Sequence, residues 1–323
     1  MRSRDGCIPY AASMQSIYGL MSSVIDYAGL YPPAQLEPSV VVRHYTDLIS
    51  SPRSWMLGRL VWPADKLPQL SELAQGNAPC VEPPATEGAW AITCVLSPAG
   101  TPECAHDLAA VSDFNERHSS EGEPAMRIDS LEMRAGTASA VERCVAALPE
   151  DLFPYFEVPL DSDPRGVIAA LVGEEAGVKF RTGGTTPQAH PAAGDLARGI
   201  LAAAAAGVPW KATAGLHRAL CHFNQAAGAK QFGFLNVLLG AAMAQARRID
   251  IEGLTAFLTV ESMDGIEFSE RAVAWQGIRV SREEILDARA RLAHSFGSCS
   301  FDEPWEDLVA MELVRAVPSG GAA

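Results

Sequence analysis

The segment Gly177–Gly215 reads GVKFRTGG (177–184), then an alanine-rich run to Ala206, then GVPWKATAG (207–215), a strand–helix–strand pattern. Gly177–Arg181 alternates as a strand. Ala192–Ala206 reads as a helix stopped by Gly207, because a glycine without Cβ suits the left-handed turn that ends helices. Val208–Thr213 reads as the next strand. Strand, helix and strand joined by short loops make a parallel unit with a right-handed crossover.

The same rhythm extends in both directions. Upstream, Ala91–Leu96 (AITCVL), Ile128–Met133 (IDSLEM) and Tyr155–Leu160 (YFEVPL) are expected strands. Between them fall a helix over Cys104–Arg117, one behind the capping-box pattern Ser139-x-x-Glu142, and one opened by Asp163-Pro164. Downstream, Phe232–Asn236 and Phe296–Ser300 are expected later strands, which bring the expected strands beyond residue 89 to seven, in a barrel expected to close with eight. The expected fold class is therefore α/β, a TIM-like (β/α)8 barrel with an N-terminal extension and an appended C-terminal β-hairpin. Residues 1–89 form that extension, with a strand at Met56–Trp62 and a Pro/Gly-rich connection over 76–89. Asp26 and Tyr27 are read there as capping a turn. The barrel spans 90–317, with the hairpin near 266–280 and a charged helix capped by Ser281-x-x-Glu284, and 318–323 is expected to be a disordered tail.

Composition limits the function. Of 323 residues 48% are apolar and 20% charged, enough for a full core. A net charge of −14 argues against nucleic acid, which needs a basic face, and against an anionic membrane surface. No apolar run approaches the ~20 residues of a membrane span, and no signal-like apolar stretch appears early in the chain. A cytoplasmic enzyme is expected. Seven cysteines are scattered without a C-x-x-C pair, so they read as reduced core residues, with room for one of them near the active site. His217 and His222 lie five apart with no accompanying metal motif, so neither a metal nor any other cofactor is expected. Self-association into a homo-oligomer is left open.

In parallel barrels functional groups gather at the C-terminal ends of strands. Lys179 and Lys211 occupy like positions on consecutive strands, and each precedes a glycine-bearing loop. Burying a lysine is costly unless it is paired or neutral, so two such residues point to a site. An unprotonated amine attacks a carbonyl, and a second ammonium nearby favours the unprotonated form by like-charge repulsion. The resulting iminium is an electron sink, and a carboxylate such as Glu132 then moves the proton.

KFRTG from Lys179 and KATAG from Lys211, with a helix between them, resemble the K-T-S-T-G and K-P-A-G-G segments of the deoxyribose-phosphate aldolase-like class I aldolases. RIDSLEM resembles that family's catalytic strand, with Glu132 in place of an aspartate. YFEV, with Glu157, resembles its I-I-E-T strand, and SFGSCS from Ser295 its phosphate-binding R-F-G-A-S-S. The resemblance covers roughly 90–218 plus that late strand. It implies a Schiff-base lyase or synthase with Lys179 forming the imine, Lys211 assisting and Glu132 carrying the proton. A small, anionic carbonyl substrate would be held by Arg181, Thr182, Gly183, Gly184, Gly215, His217, Glu157 and Ser298. Two other readings compete. One is a barrel isomerase, decarboxylase or dehydratase that uses the lysines without an imine; the other is a non-catalytic small-molecule-binding barrel.

Overall fold

The computed structural model describes residues 15–81 and 88–316. Seven parallel strands come first: β1 (Ile25–Tyr27), β2 (Leu57–Pro63), β3 (Trp90–Val95), β4 (Met126–Arg134), β5 (Phe153–Val158), β6 (Gly177–Arg181) and β7 (Trp210–Thr213). A small hairpin follows, β8 (His222–Asn224) with β9 (Ala229–Gln231). Next comes an antiparallel meander, β10 (Ile266–Phe268), β11 (Ala272–Trp275) and β12 (Ile278–Ser281). The last strand is β13 (Ala293–Ser298). The closed barrel runs β1-β13-β7-β6-β5-β4-β3-β2, all neighbours parallel. It is a TIM-like α/β barrel, with helices such as Pro38–Ile49, Pro102–Arg117 and Ala193–Ala206 connecting the strands.

Period-two alternation explains how β6 and β7 serve both core and site. Val178 and Phe180 are fully buried, and the Phe180 ring lies 5.5 Å from that of Trp210. The intervening residues are Lys179 and Lys211. The helix over Ala193–Ala206 approaches closely because Gly199 has no side chain; a Cβ there would come within 3.0 Å of Leu160 and 3.2 Å of Phe180. That helix ends as expected, with Gly207 left-handed at φ 67°.

Three expectations are corrected. The boundary at 89/90 does not divide an extension from the barrel, because β1 and β2 pair with each other and close it against β13 and β3. Of the described residues only the helix Gln15–Met21 and its turn precede the first barrel strand. Phe232–Asn236 is not a strand: Phe234–Gln245 is a helix buried on nearly every side, so its apolar run carries no period to tell helix from strand. The hairpin near 266–280 is a three-stranded meander. Smaller changes concern caps. Thr137, not Ser139, caps the helix Ala138–Val145, whereas the Ser281–Glu284 capping box forms as expected. The tail at 318–323 and Cys7 lie outside the described residues. Cys94, Cys104, Cys144, Cys221 and Cys299 are buried, and Cys80 is exposed.

Candidate active site

Strand register builds the site. Along β5, β6, β7 and β13 the partners Glu157↔Lys179, Lys179↔Lys211 and Lys211↔Ser295 fall on one row across the barrel. Glu132 comes from β4 and Asp26 from β1. The Lys179 ammonium contacts Glu132 Oε2 at 2.7 Å and Glu157 Oε2 at 2.9 Å. The Lys211 ammonium contacts Glu132 Oε1 at 2.6 Å and Asp26 Oδ2 at 2.5 Å. Arg181 Nε donates to Glu157 Oε1 at 2.9 Å. Three cations thus alternate with three carboxylates in one chain, and Glu132 stands between the two lysines. The bare repulsion expected between those ammonium groups is screened by the carboxylate they share.

Such a chain is stable only if every lone pair is used, because desolvating each ion costs several kcal/mol. Asp26 is completed by the Ser295 hydroxyl donating to Oδ2 at 2.8 Å and the Arg59 backbone N–H donating to Oδ1 at 2.9 Å. Lys211 also lies 5.4 Å from the Tyr155 ring centroid, a cation–π contact. Burial alone raises the Glu132 carboxyl, but Lys179 and Lys211 outweigh it and bring its pKa down to about 2. Burial opposes the Lys211 ammonium, yet Asp26 and Glu132 raise its pKa overall. Glu157 is likewise lowered, with Lys179 and Arg181 overcoming burial.

A cavity of about 620 Å³ opens at the C-terminal mouth of the strands. Glu132, Glu157, Lys179 and Arg181 line it; Lys211 and Asp26 do not. The two lysines therefore differ in access: Lys179 faces the cavity, and Lys211 lies buried beneath it. Its lining also includes the apolar Val61, Val95 and Leu96, His217 from the loop after β7, and Asn224 and Gln231 from the β8–β9 hairpin. The Tyr31 hydroxyl and the Gln231 amide oxygen also line this space, buried and without a hydrogen-bond partner in the structure. Among the described residues, no group of three or more His, Cys, Asp or Glu side chains is placed to hold a metal ion.

No family model matches the chain, and no curated protein matches it. Among solved structures it is similar to the citrate lyase beta subunit complexed with oxaloacetate and magnesium from M. tuberculosis. That match has 11% identity and a TM-score of 0.35, covering 60% of this chain and 80% of that one. It is also similar to RipC from Yersinia pestis, at 12% identity and a TM-score of 0.32, covering 64% of this chain and 90% of the other. Likenesses this distant carry no argument about chemistry, so the barrel rests on its own strand order.

The remaining expected site residues separate into wall and support. Gly184, Gly215 and His217 line the cavity. Thr182 is fully buried, with its hydroxyl donating to the backbone oxygens of Thr213 (3.2 Å) and Ala214. Gly183 packs on Gly215, where a Cβ on either would come within about 3.2 Å of the other's Cα. Gly215 also has φ 84°, so two glycines meet where side chains do not fit. Ser298 is buried and donates to the Ser300 carbonyl at 2.6 Å. Arg181 finds its counter-anion in Glu157, the pairing that competes with an anion-binding role. His217 Nδ1 lies 2.7 Å from Glu303 Oε2, and its Nε2 3.9 Å from Cys299 Sγ. Asp26, Tyr31, Cys299 and Glu303 were not anticipated. Asp26 had one signal, an acid between apolar residues in Val24-Ile-Asp-Tyr27.

No helix of the described residues is long and apolar enough to cross a membrane.

Proposed function

We propose that this chain is a carbon–carbon lyase or synthase of the Schiff-base type, acting on a small anionic carbonyl compound, with Lys179 as the amine. The observation that carries this reading is the unequal access of the two lysines. Lys179 opens onto the cavity, while Lys211 is 1% exposed and held by Asp26 and Glu132.

The chemistry follows from that arrangement. Attack on a carbonyl needs the free amine, so a proton leaves Lys179 for water or for a carboxylate, with Glu132 the nearer at 2.7 Å. Loss of water from the adduct gives an iminium, again a cation at Nζ. Glu132 and Glu157 therefore stabilise it in place, with no rearrangement of charge. The iminium accepts the electron pair released when the neighbouring carbon–carbon bond breaks. Glu132 relays the proton through a water, and Lys211 keeps Glu132 ionised and oriented. Arg181, with the glycine loops at 183–184 and 215, is the natural place for the substrate's anionic group.

A second reading keeps the same cavity but no imine, with the lysines acting as acid or electrostatic clamp. It is favoured by one observation: both ammonium groups are ion-paired. Borohydride reduction with a pool of aldehydes and keto acids, followed by peptide mapping, separates the two. A reduced adduct on Lys179, absent from Lys179→Arg, is expected. An adduct only on another lysine removes the assignment. Turnover without any adduct selects the second reading, and binding without turnover selects a non-catalytic barrel.

A further inference from the structure

One nucleophile in this cavity takes no part in the lysine chemistry. β13 ends at Ser298, and Cys299 follows directly, just before the helix Asp302–Ala310. His217 reaches the same place from the loop after β7, and both side chains line the cavity. Cys299 Sγ lies 3.9 Å from His217 Nε2, and Glu303 Oε2, from the helix's first turn, lies 2.7 Å from His217 Nδ1. An ionised carboxylate only accepts hydrogen bonds, so Nδ1 carries the proton and Nε2 is turned toward the sulfur. Nucleophile, base and orienting acid thus stand in sequence, in the arrangement that activates thiols and hydroxyls on unrelated folds.

We propose that Cys299, His217 and Glu303 form a thiol acyl-transfer site at the mouth of this cavity, one that takes the acyl group of a small ester or thioester. Cys299 and His217 are its catalytic residues, and Glu303 is a positioning residue. The proposal does not rest on the imine reading.

Burial lowers the His217 pKa, but Cys299 and Glu303 overcome it and raise the imidazole to about 9. On β1 the Tyr27 hydroxyl lies 3.2 Å from His44 Nδ1 and is held neutral, pushed up to about 12 by burial and then by Cys299 and Asp302. Asp302 is itself paired with Arg53, and Arg218, near Glu303, is paired with Asp307. Cys94, by contrast, sits in an apolar core that pushes its thiol up, with acids rather than a histidine near it. An inert core cysteine has no need of a histidine on a carboxylate.

The step balances without a further reactant. The thiolate attacks the acyl carbon, the carbon–oxygen or carbon–sulfur bond to the leaving group breaks, and the imidazolium gives that group its proton. Neutral His217 then takes a proton from water, whose oxygen attacks the S-acyl carbon and releases the thiolate.

The probe is p-nitrophenyl acetate with the full chain at neutral pH. A burst of about one equivalent of p-nitrophenolate is expected, with the acetyl group on Cys299 and labile to hydroxylamine. Cys299→Ser should slow the burst by ~100-fold or more, the usual loss when an activated nucleophile is removed. A second measurement uses iodoacetamide at neutral pH, with exposed Cys80 as internal reference. In His217→Asn the alkylation of Cys299 should slow by ~10-fold or more while that of Cys80 is unchanged, because the thiolate and not the thiol reacts. Glu303→Gln should slow it part of the way, and Glu303→Asp should restore it. Acetylation of lysines alone, or Cys299 alkylation that does not respond to His217→Asn, overturns the proposal. Acetyl on Lys179 but not Cys299 would count against this site and leave the imine reading standing. S-acetylation of Cys299 with no borohydride adduct would do the reverse.

Discussion

The cavity has a floor and a rim built from the same kinds of charge, and they behave differently. On the floor, Lys211, Asp26 and Glu132 are 1%, 1% and 3% exposed, and every charged atom is matched. On the rim the Arg181 side chain is 41% exposed and shares Glu157 with Lys179. A floor ion has no water to fall back on, so it acts as a rigid support whose loss is structural. A rim ion exchanges its partner for water or a ligand at little cost, so its loss is functional.

The largest expected effect tests the floor. Lys211→Met leaves Asp26 and part of Glu132 buried without a cation, and should cost roughly 3–5 kcal/mol of stability in urea unfolding. A loss within error of zero would place Lys211 with the rim residues.

Glu132 belongs to both regions, since it lines the cavity and bridges the lysines. Glu132→Gln should lower turnover by ~10²-fold or more once a substrate is found, the scale of general acid–base catalysis. Imine trapping on Lys179 should survive in this variant; normal turnover would remove Glu132 from the chemistry.

Acid should act on the floor in a defined window. The Glu132 pKa is about 2 in the fold against an ordinary 4.5, so the unfolded chain binds more protons between those values. Its stabilisation is complete above pH 4.5 and is lost as pH falls toward 2. His294, beside Tyr155, is lowered from 6.5 to about 4, first by burial and then by Arg289. It is buried neutral, so its contribution is present above pH 6.5 and fades toward pH 4. Thermal unfolding of the wild type should therefore weaken in two overlapping stages, and Glu132→Gln should flatten only the lower one. A Glu132→Gln curve parallel to the wild type down to pH 2 would contradict the pairing.

The smallest stability effect belongs to the rim. Arg181→Met leaves Glu157 its bond to Lys179, so the change should stay within about 1 kcal/mol, as for partly exposed ion pairs. The Michaelis constant should rise for anionic substrates. A large loss of stability with an unchanged Michaelis constant would move Arg181 to the floor.

Rim and floor were not equally legible. Lys179 and Lys211 stand out because charge in the middle of an apolar strand is expensive, and alternation gave their facing. Glu132 and Glu157 were visible for the same reason. Asp26 was missed because β1 is three residues long, too short to show a period, so it read as a turn. With β1 unread and β2 assigned to an extension, the apolar run at Phe232–Asn236 reads from sequence as a strand needed to close the barrel. The stretch SFGSCS marks the end of β13 as part of a site, but nothing in it singles out Cys299 with Glu303, since their meeting with His217 depends on β7 and β13 being neighbours, and sequence spacing does not encode that.

The seam between β1 and β13 has a consequence for how the molecule is made. Asp26 and Ser295, bonded across it, lie 269 positions apart. Emerging from a ribosome at ~5–20 residues per second, the first strand waits many seconds for its neighbour. During that wait β1 and β7 present open edges, and the carboxylate at 26 lacks the Ser295 hydroxyl even after Lys211 has been made. Closing so long a loop is also entropically slow, which puts the final annealing of the cylinder late in folding. A nascent chain halted before residue 293 should therefore engage holdase chaperones and be cut by protease at β1, and one extended past 298 should resist.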